Sequence, residues 1–278
     1  MNAALDALAR RAQQGDRDAL EALVRGLQGQ TYRLALRMLG APEAARDATQ
    51  EILILVITQL SSFRGASAVT TWAYRVAVRY LLREKKRTSL WTFETLAEDL
   101  GQAPNEIDRA ALRVAEQKLL EEEVFVGCTQ AMLQALDPTL RIAFVLGAIC
   151  ELEAPECAAI LGTTAAAFRK RLSRARAALD AFLTRHCGVA NQQRRCRCAS
   201  QVNLNLRRGR VDPEHLSYAV SPRRTSLQVL QAYDEVNRVR DSIELYRAQP
   251  PLDPPEDFSA QVRELLASTD VLSGRSDA

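Results

Sequence analysis

The residue types best suited to chemistry lie together in one short stretch, "HCGVANQQRRCRC" at 186–198. It supplies one imidazole and three thiols, His186, Cys187, Cys196 and Cys198, which is the ligand count of a tetrahedral zinc site. Nearby arginines favour the thiolate form that binds zinc or copper. However, adjacent residues seldom reach the same ion, and the C-x-x-C spacing is absent. A metal site is therefore the first interpretation, with a thiol redox switch or a basic linker without chemistry as alternatives.

A second candidate site is a basic helix that follows a turn. In "AAILGTTAAAFRKRLSRARAALDAFL", residues 158–183, Gly162 predicts the turn and Thr163 or Thr164 predicts a helix cap. Basic residues occupy one side of the following helix. Apolar side chains repeat at steps of three and four along the other side and predict a buried face: Phe168, Leu172, Ala175, Leu179 and Phe182. This is the pattern of a helix-turn-helix whose second helix contacts DNA.

The elements around these sites are predicted to be helical. Glycine is scarce, with 12 in 278 residues, and Ala, Leu, Arg and Glu dominate. The apolar run "ILILVI" at 52–57 lies between helical flanks and is predicted as a buried helix, and Thr70 or Thr71 is predicted to cap the helix after it. Apolar spacing predicts further helices at 226–247 and 257–266. We therefore expect an all-α fold.

The distribution of charge along the sequence indicates what kinds of partner the protein binds. Basic clusters lie at 83–87, 169–176 and 194–210, and an acidic stretch at 94–123 lies between the first two. Basic patches separated by an acidic connector suit a protein that touches phosphates at two places. No apolar run is long enough for a signal peptide or a membrane span, so a cytoplasmic protein without a membrane partner is expected. Two histidines, no Gly-rich phosphate loop and no nucleophile motif argue against an enzyme.

Four motifs in order resemble one family. They are "AQQGDRDALEAL" at 12–23, "DATQEI" at 47–52, "FRGASAVTTWAYRVA" at 63–77 and the helix-turn-helix pattern at 158–176. With these motifs, the chain resembles bacterial extracytoplasmic-function (ECF) sigma factors, which recruit RNA polymerase to promoters. The residues at 63–79 also suit promoter melting, because aromatic and basic side chains beside small ones can stack on flipped bases and contact phosphates.

The resemblance implies a division into four parts. Residues 1–87 correspond to sigma region 2, a helical bundle that binds core polymerase and the −10 element. Residues 88–123 form an acidic linker, which in the family threads into the active-site and RNA-exit path of the polymerase; a plain solvated linker is the alternative. Residues 124–185 correspond to region 4, the helix-turn-helix that binds the −35 element. Residues 186–278 are a Cys-containing, mostly helical C-terminal extension beyond the usual family length.

The resemblance also implies contact residues. Asp47, Gln50 and Glu51 are expected to face the polymerase. The −10 element is expected to meet Phe63, Arg64, Ser67, Thr70, Trp72, Arg75 and Arg79, although core packing is the alternative for Trp72. The −35 major groove is expected to meet Thr164, Ala165, Ala166, Arg169, Lys170, Ser173 and Arg174.

Some positions depart from the family pattern. Arg79 stands where Asn is usual, Glu151 where Gly is usual, Phe168 where Val is usual, and Cys157 where a core Ile is usual. Cys157 is therefore interpreted as a small core residue. Cys128 and Cys150 are interpreted in the same way.

The implied partners are core RNA polymerase, through its largest-subunit clamp and its flap, and promoter DNA. An anti-sigma factor is a further candidate partner. No cofactor is needed for sigma activity, and zinc or copper is expected only in the extension. Because an amphipathic helix needs an apolar partner, the extension is predicted to pack on the sigma domains and regulate them in cis. The alternative function is a helix-turn-helix regulator that acts without recruiting polymerase.

Overall fold

A computed structural model of the chain describes residues 2–83, 91–102, 114–218, 241–250, 252–254 and 257–260. Within these ranges the fold is all-α, as predicted, and its sole strand-like feature is an isolated bridge between Cys187 and Cys196. The N-terminal helices are α1 (Asn2–Gln13), α2 (Arg17–Leu39), α3 (Pro42–Thr58) and α4 (Val69–Arg83). They are followed by α5 (Phe93–Gly101), α6 (Val114–Ala135), α7 (Pro138–Phe144), α8 (Ala154–Leu161), α9 (Ala165–His186), α10 (Cys198–Arg207) and α11 (Ser242–Arg247).

The described residues divide into two units. The first contains α1–α4 with residues 158–163, 253, 254 and 257–260. The second contains α5, α6, α7, α9, α10 and α11, and α8 is divided between the two after Cys157. In the first unit α2 packs against both α1 and α3, and the run at 52–57 lies inside α3, which confirms the helix prediction.

The start of α4 differs from the prediction. Thr70 and Thr71 are buried inside the helix and do not cap it. Instead Asp6 of α1 accepts a hydrogen bond from the backbone N–H of Val69 at 2.7 Å. The cap therefore comes from a residue 63 positions earlier in the chain, which a local sequence pattern cannot reveal.

Two helix starts in the second unit agree with their sequence signals. Asp137 caps α7, with Pro138 as its first residue, by accepting from the N–H of Thr139 at 2.8 Å. Thr164 caps α9 by accepting from the N–H of Ala167 at 3.1 Å. Together with the turn at Gly162, where φ is 61°, the cap at Thr164 sets where the basic helix begins.

Helix α6 runs from the segment predicted as linker into the segment predicted as region 4. The acidic run Glu121, Glu122 and Glu123 on this helix is buried. Charged side chains are seldom buried without partners. Here Lys118 pairs with Glu121 at 2.9 Å, and Glu123 accepts hydrogen bonds from the C-terminal extension, as described below.

The extension is described only in parts. Of the helix predicted at 226–247, α11 covers Ser242–Arg247, and residues 226–240 lie outside the described ranges. Of the helix predicted at 257–266, residues 258–260 are helical and the remainder lies outside the described ranges.

Candidate functional site

Helix α9 presents the candidate DNA-reading face of the second unit. Its apolar side is buried at Phe168, Ala175, Leu179 and Phe182. The candidate contact residues Thr164, Ala166, Arg169, Lys170, Ser173 and Arg174 are exposed, and Ala165 is half-buried. A helix N-terminus with small residues and exposed arginines can enter a major groove, where arginine pairs bidentately with guanine. The structure thus places this predicted set on one accessible face.

The candidate −10 surface lies on α4 and on the loop before it. Arg64 and Arg79 are exposed, while Ser67 and Arg75 are half-buried. The Nε atom of Arg75 is buried and has no hydrogen-bond partner among the described residues. The exposed guanidinium groups of Arg64 and Arg79 are available to phosphates or bases, whereas the buried Nε of Arg75 is not.

Other members of that predicted set lie inside the protein. Phe63 and Thr70 are buried, at 5% and 8% exposure. The ring of Phe63 packs on that of Trp72, with centroids 5.6 Å apart. In this structure the two aromatic side chains therefore pack together. Core packing was the alternative prediction for Trp72.

The candidate polymerase contacts lie on one helix. Asp47, Gln50 and Glu51 are all exposed in the middle of α3. The Asp47 carboxylate lies 3.4 Å from the guanidinium of Arg46, an exposed pair that contributes little to stability. These polar groups are thus available to a partner protein.

The cysteines of the extension come together with one more cysteine. Cys187, Cys196 and Cys198 line a small cavity in the second unit, and Cys128 of α6 lines the same cavity. The backbones of Cys187 and Cys196 pair, and the N–H of Gly188 donates to the carbonyl of Cys196 at 3.0 Å. Sequence reasoning missed Cys128, because its helical spacing is that of a core residue and its distance in sequence conceals the proximity.

Three of the thiols that line this cavity, Cys128, Cys196 and Cys198, have raised pKa values. Burial, reinforced by the neighbouring thiols, raises the pKa of Cys128 and of Cys198 well above the usual value and that of Cys196 to about 11. Among the described residues, no group of three or more His, Cys, Asp or Glu side chains is positioned to hold a metal ion. Burial therefore favours the neutral form of Cys128, Cys196 and Cys198.

His186 does not line this cavity. Its ring packs on Phe182, with centroids 4.8 Å apart, and burial together with Arg185 and Arg194 lowers its pKa. The remaining cysteines are separate from the cluster as well. Cys157 is fully buried, as its interpretation as a core residue predicts, and burial raises its pKa to about 12.

The extension contacts two acidic residues that precede the predicted region 4. Glu123 accepts hydrogen bonds from the backbone N–H groups of Ser217 and Tyr218 at 2.9 and 2.7 Å. Asp99 of α5 pairs with Arg208 and, at 2.6 Å, with Arg210. The acidic and basic stretches of the sequence thus neutralise each other inside one unit.

Two family profiles match the chain. The family described as Sigma-70 region 2 matches residues 23–90, and Sigma-70, region 4 matches residues 127–179. The ECF RNA polymerase sigma-E factor of Escherichia coli (strain K12) is 32% identical over 180 residues, covering 62% of this chain and 91% of the relative. The chain belongs to the ECF sigma factors.

Further sigma-factor relatives match a similar share of the chain. The ECF RNA polymerase sigma factor SigE of Mycolicibacterium smegmatis is 30% identical over 181 residues, covering 64% of this chain and 68% of the relative. The RNA polymerase sigma-H factor of Pseudomonas aeruginosa is 29% identical over 180 residues, covering 63% and 92%. A solved structure, CnrH in complex with the cytosolic domain of CnrY, shares 26% identity with a TM-score of 0.48 and covers 66% of this chain and 98% of that chain.

Membership of the family establishes the activity. As a sigma factor the protein binds core RNA polymerase and promoter DNA and directs transcription initiation, an activity that needs no cofactor and is not enzymatic. A regulator acting without polymerase would leave the region 2 match unexplained. In the described ranges, every helix is too short or too polar to cross a membrane.

Proposed function

We propose that this sigma factor reads its promoter with two separate surfaces and works in the cytoplasm. Residues 1–87 act as region 2, with α4 and the loop before it at the −10 element and the exposed face of α3 on core polymerase. Residues 124–185 act as region 4, with α9 in the −35 major groove. The observation that carries this assignment is the exposed basic face of α9 beside its buried apolar face.

Selection of promoters from a random DNA library by reconstituted holoenzyme tests the −35 assignment. Replacing Arg169 and Arg174 with alanine removes two exposed guanidinium groups from α9. We expect this variant to lose −35 preference by roughly tenfold or more, since one bidentate base contact discriminates by about 1–3 kcal/mol. The −10 preference should persist. An unchanged −35 preference would contradict the assignment, and Arg185→Ala, an exposed change in the last turn of α9, is the matched control.

We propose further that residues 186–278 regulate the sigma domains in cis. The contacts of Glu123 and Asp99 with the extension support this proposal, because they engage residues 88–123, the predicted linker. Tyr246 of α11 supports it as well. Its ring is 2% exposed, packs on Phe144, and its hydroxyl donates to the carbonyl of Thr129 at 2.6 Å.

The extension also packs within the first unit. Phe258 is 1% exposed, and its N–H donates to the side chain of Gln28 in α2 at 2.9 Å. Burying a phenylalanine contributes roughly 1.5–3 kcal/mol to stability.

The regulatory signal we propose is zinc or copper taken up by the thiols of Cys187, Cys196 and Cys198.

A further inference from the structure

The four cysteines around the cavity come from segments far apart in sequence. Cys128 lies on α6, while Cys187 ends α9 and Cys198 begins α10. Helices α6 and α10 are packed together by an apolar cluster that includes Val124 and Val202. The convergence of the thiols is therefore a product of the tertiary fold rather than of a local Cys-rich loop.

A close backbone approach holds two of these cysteines side by side. A Cβ atom on Gly188 would lie 2.2 Å from the carbonyl oxygen of Cys196, which is far inside contact distance. Only glycine therefore allows the chain after Cys187 to run along Cys196. Residues 188–195 form the loop that brings the chain from Cys187 back to Cys196.

We propose that Cys128, Cys187, Cys196 and Cys198 together hold one Zn²⁺ ion, with Cys128 rather than His186 as the fourth ligand. The inference rests on the proposed metal uptake by the extension and specifies its site. His186 is held against Phe182 and is the chain neighbour of Cys187, whereas Cys128 already lines the same cavity as the other three thiols. Four thiolates in tetrahedral geometry are an established ligand set for structural zinc.

The cavity is large enough to hold an ion. Its volume is about 30 Å³, where about 10–15 Å³ suffices for one water molecule. The thiols are not in ligand positions in the described structure, so binding requires the four side chains to move toward one another. Each thiol gives up one proton to solvent as it binds, so the zinc centre carries two net negative charges.

The surroundings suit a negatively charged zinc centre. The side-chain Nε2 of Gln201 donates to the Sγ of Cys196 at 3.6 Å. Arg197, whose guanidinium donates to the carbonyl of Cys196 at 3.0 Å, provides a positive charge. Hydrogen bonds and charges of this kind orient metal ligands and tune their affinity. Zinc at this position would crosslink α6 to the extension.

Metal content of the full-length, reduced protein tests the proposal. We expect one equivalent of Zn²⁺ in the wild type and a thiolate-to-metal absorption band when Co²⁺ replaces it. Cys128→Ser and Cys198→Ser should each weaken Zn²⁺ affinity by about a hundredfold or more, since even the loss of an outer-shell partner costs about 10–100-fold. His186→Ala and Cys150→Ser, the latter a change at a half-buried cysteine that does not line the cavity, should leave the affinity unchanged.

Alkylation of the wild type keeps the test valid if a variant misfolds. Zn²⁺ should protect Cys128, Cys187, Cys196 and Cys198 from iodoacetamide, as located by mass spectrometry, without changing the labelling of Cys150. Zinc that is lost in His186→Ala and kept in Cys128→Ser would overturn this inference alone. A reduced wild type that binds no zinc would overturn the metal proposal as well, and so would protein purified without reductant that carries a Cys187–Cys196 disulfide and no zinc. Run-off transcription with core polymerase reports separately on the sigma activity.

Discussion

At the scale of single residues, Glu151 stands where the family usually has glycine. Its backbone conformation is one that glycine adopts more readily than glutamate. Its φ is 56°, in the left-handed region that side chains with a Cβ atom disfavour. Its carboxylate pairs with Arg247 of the extension at 2.6 Å. Both partners are about half exposed, so the pair contributes at most about 1 kcal/mol. Glu151 therefore combines a strained backbone conformation with an ion pair to the extension.

Comparing two substitutions at Glu151 isolates the backbone effect. Glu151→Ala and Glu151→Gly both remove the ion pair, but only glycine adopts the left-handed conformation without strain. We expect the glycine variant to have the higher free energy of unfolding, by about 1 kcal/mol. Urea unfolding of the full chain measures the difference. Equal stability of the two variants would show that the left-handed conformation carries no strain.

The residue scale also shows where sequence reasoning is strong and where it fails. Thr164 and Asp137 were predictable because a cap acts on an N–H group two or three residues away. The exposed face of α9 followed from helical periodicity in the same way. Cys128 was interpreted as a core residue, because its role depends on three cysteines about 60 to 70 positions later. Local patterns predict local contacts, and the thiol cluster is not local.

At the scale of elements, α4 depends on α1 for its start. Asp6 satisfies an N–H group that the first turn of a helix leaves without an internal partner. The sequence favoured Thr70 or Thr71 because threonine is a common cap, but both are inside the helix and buried. Helix α4 also carries the candidate −10 contacts Arg75 and Arg79, so its start affects how the promoter-binding surface is held.

Removing this cap should destabilise the first unit. Asp6→Ala leaves the N–H of Val69 without its acceptor, and we expect a loss of about 0.5–2 kcal/mol in unfolding free energy. Asp6→Asn keeps an oxygen acceptor and should lose less. Thermal unfolding of the full chain, followed by circular dichroism, measures both. A loss in the asparagine variant as large as in the alanine variant would indicate that charge, rather than the cap, is the contribution of Asp6.

Helix α6 shows a second limit of element prediction. The acidic run at 121–123 suggested a solvated linker, yet its three glutamates are buried. The reason lies outside the helix, because the extension supplies the N–H groups of Ser217 and Tyr218 to Glu123. The helical class was predictable, whereas the burial depended on a distant segment.

At the scale of the whole molecule, the C-terminal extension lies beyond the region 4 profile, which ends at residue 179. The relatives described above match 62–64% of the chain. Beyond the profile, the extension uses its basic cluster internally: Arg208 and Arg210 pair with Asp99, and Arg210 also lies over the ring of Trp91 at 5.0 Å. The sequence shows these arginines only as part of a basic cluster, since charge alone does not identify the partner.

Weakening this internal contact should change transcription. Asp99 is 14% exposed at its side chain, and partly buried ion pairs are screened less than exposed ones. Replacing Arg208 and Arg210 with glutamate puts like charges beside Asp99 and should release α5 from the extension. If the extension restrains the linker, run-off transcription by core polymerase should rise by about threefold to tenfold, which corresponds to about 0.7–1.4 kcal/mol.

A control variant with the same change in net charge distinguishes loss of the Asp99 contact from a general loss of positive charge. Arg195 and Arg207 are exposed arginines of the same extension, and replacing both with glutamate changes the net charge by the same amount. This control should leave transcription near the wild-type level. Equal activity in all three proteins would contradict regulation by the extension through Asp99. A rise confined to the Arg208/Arg210 variant would connect the extension to initiation, because no promoter-contact residue proposed on α4 or α9 is altered in it.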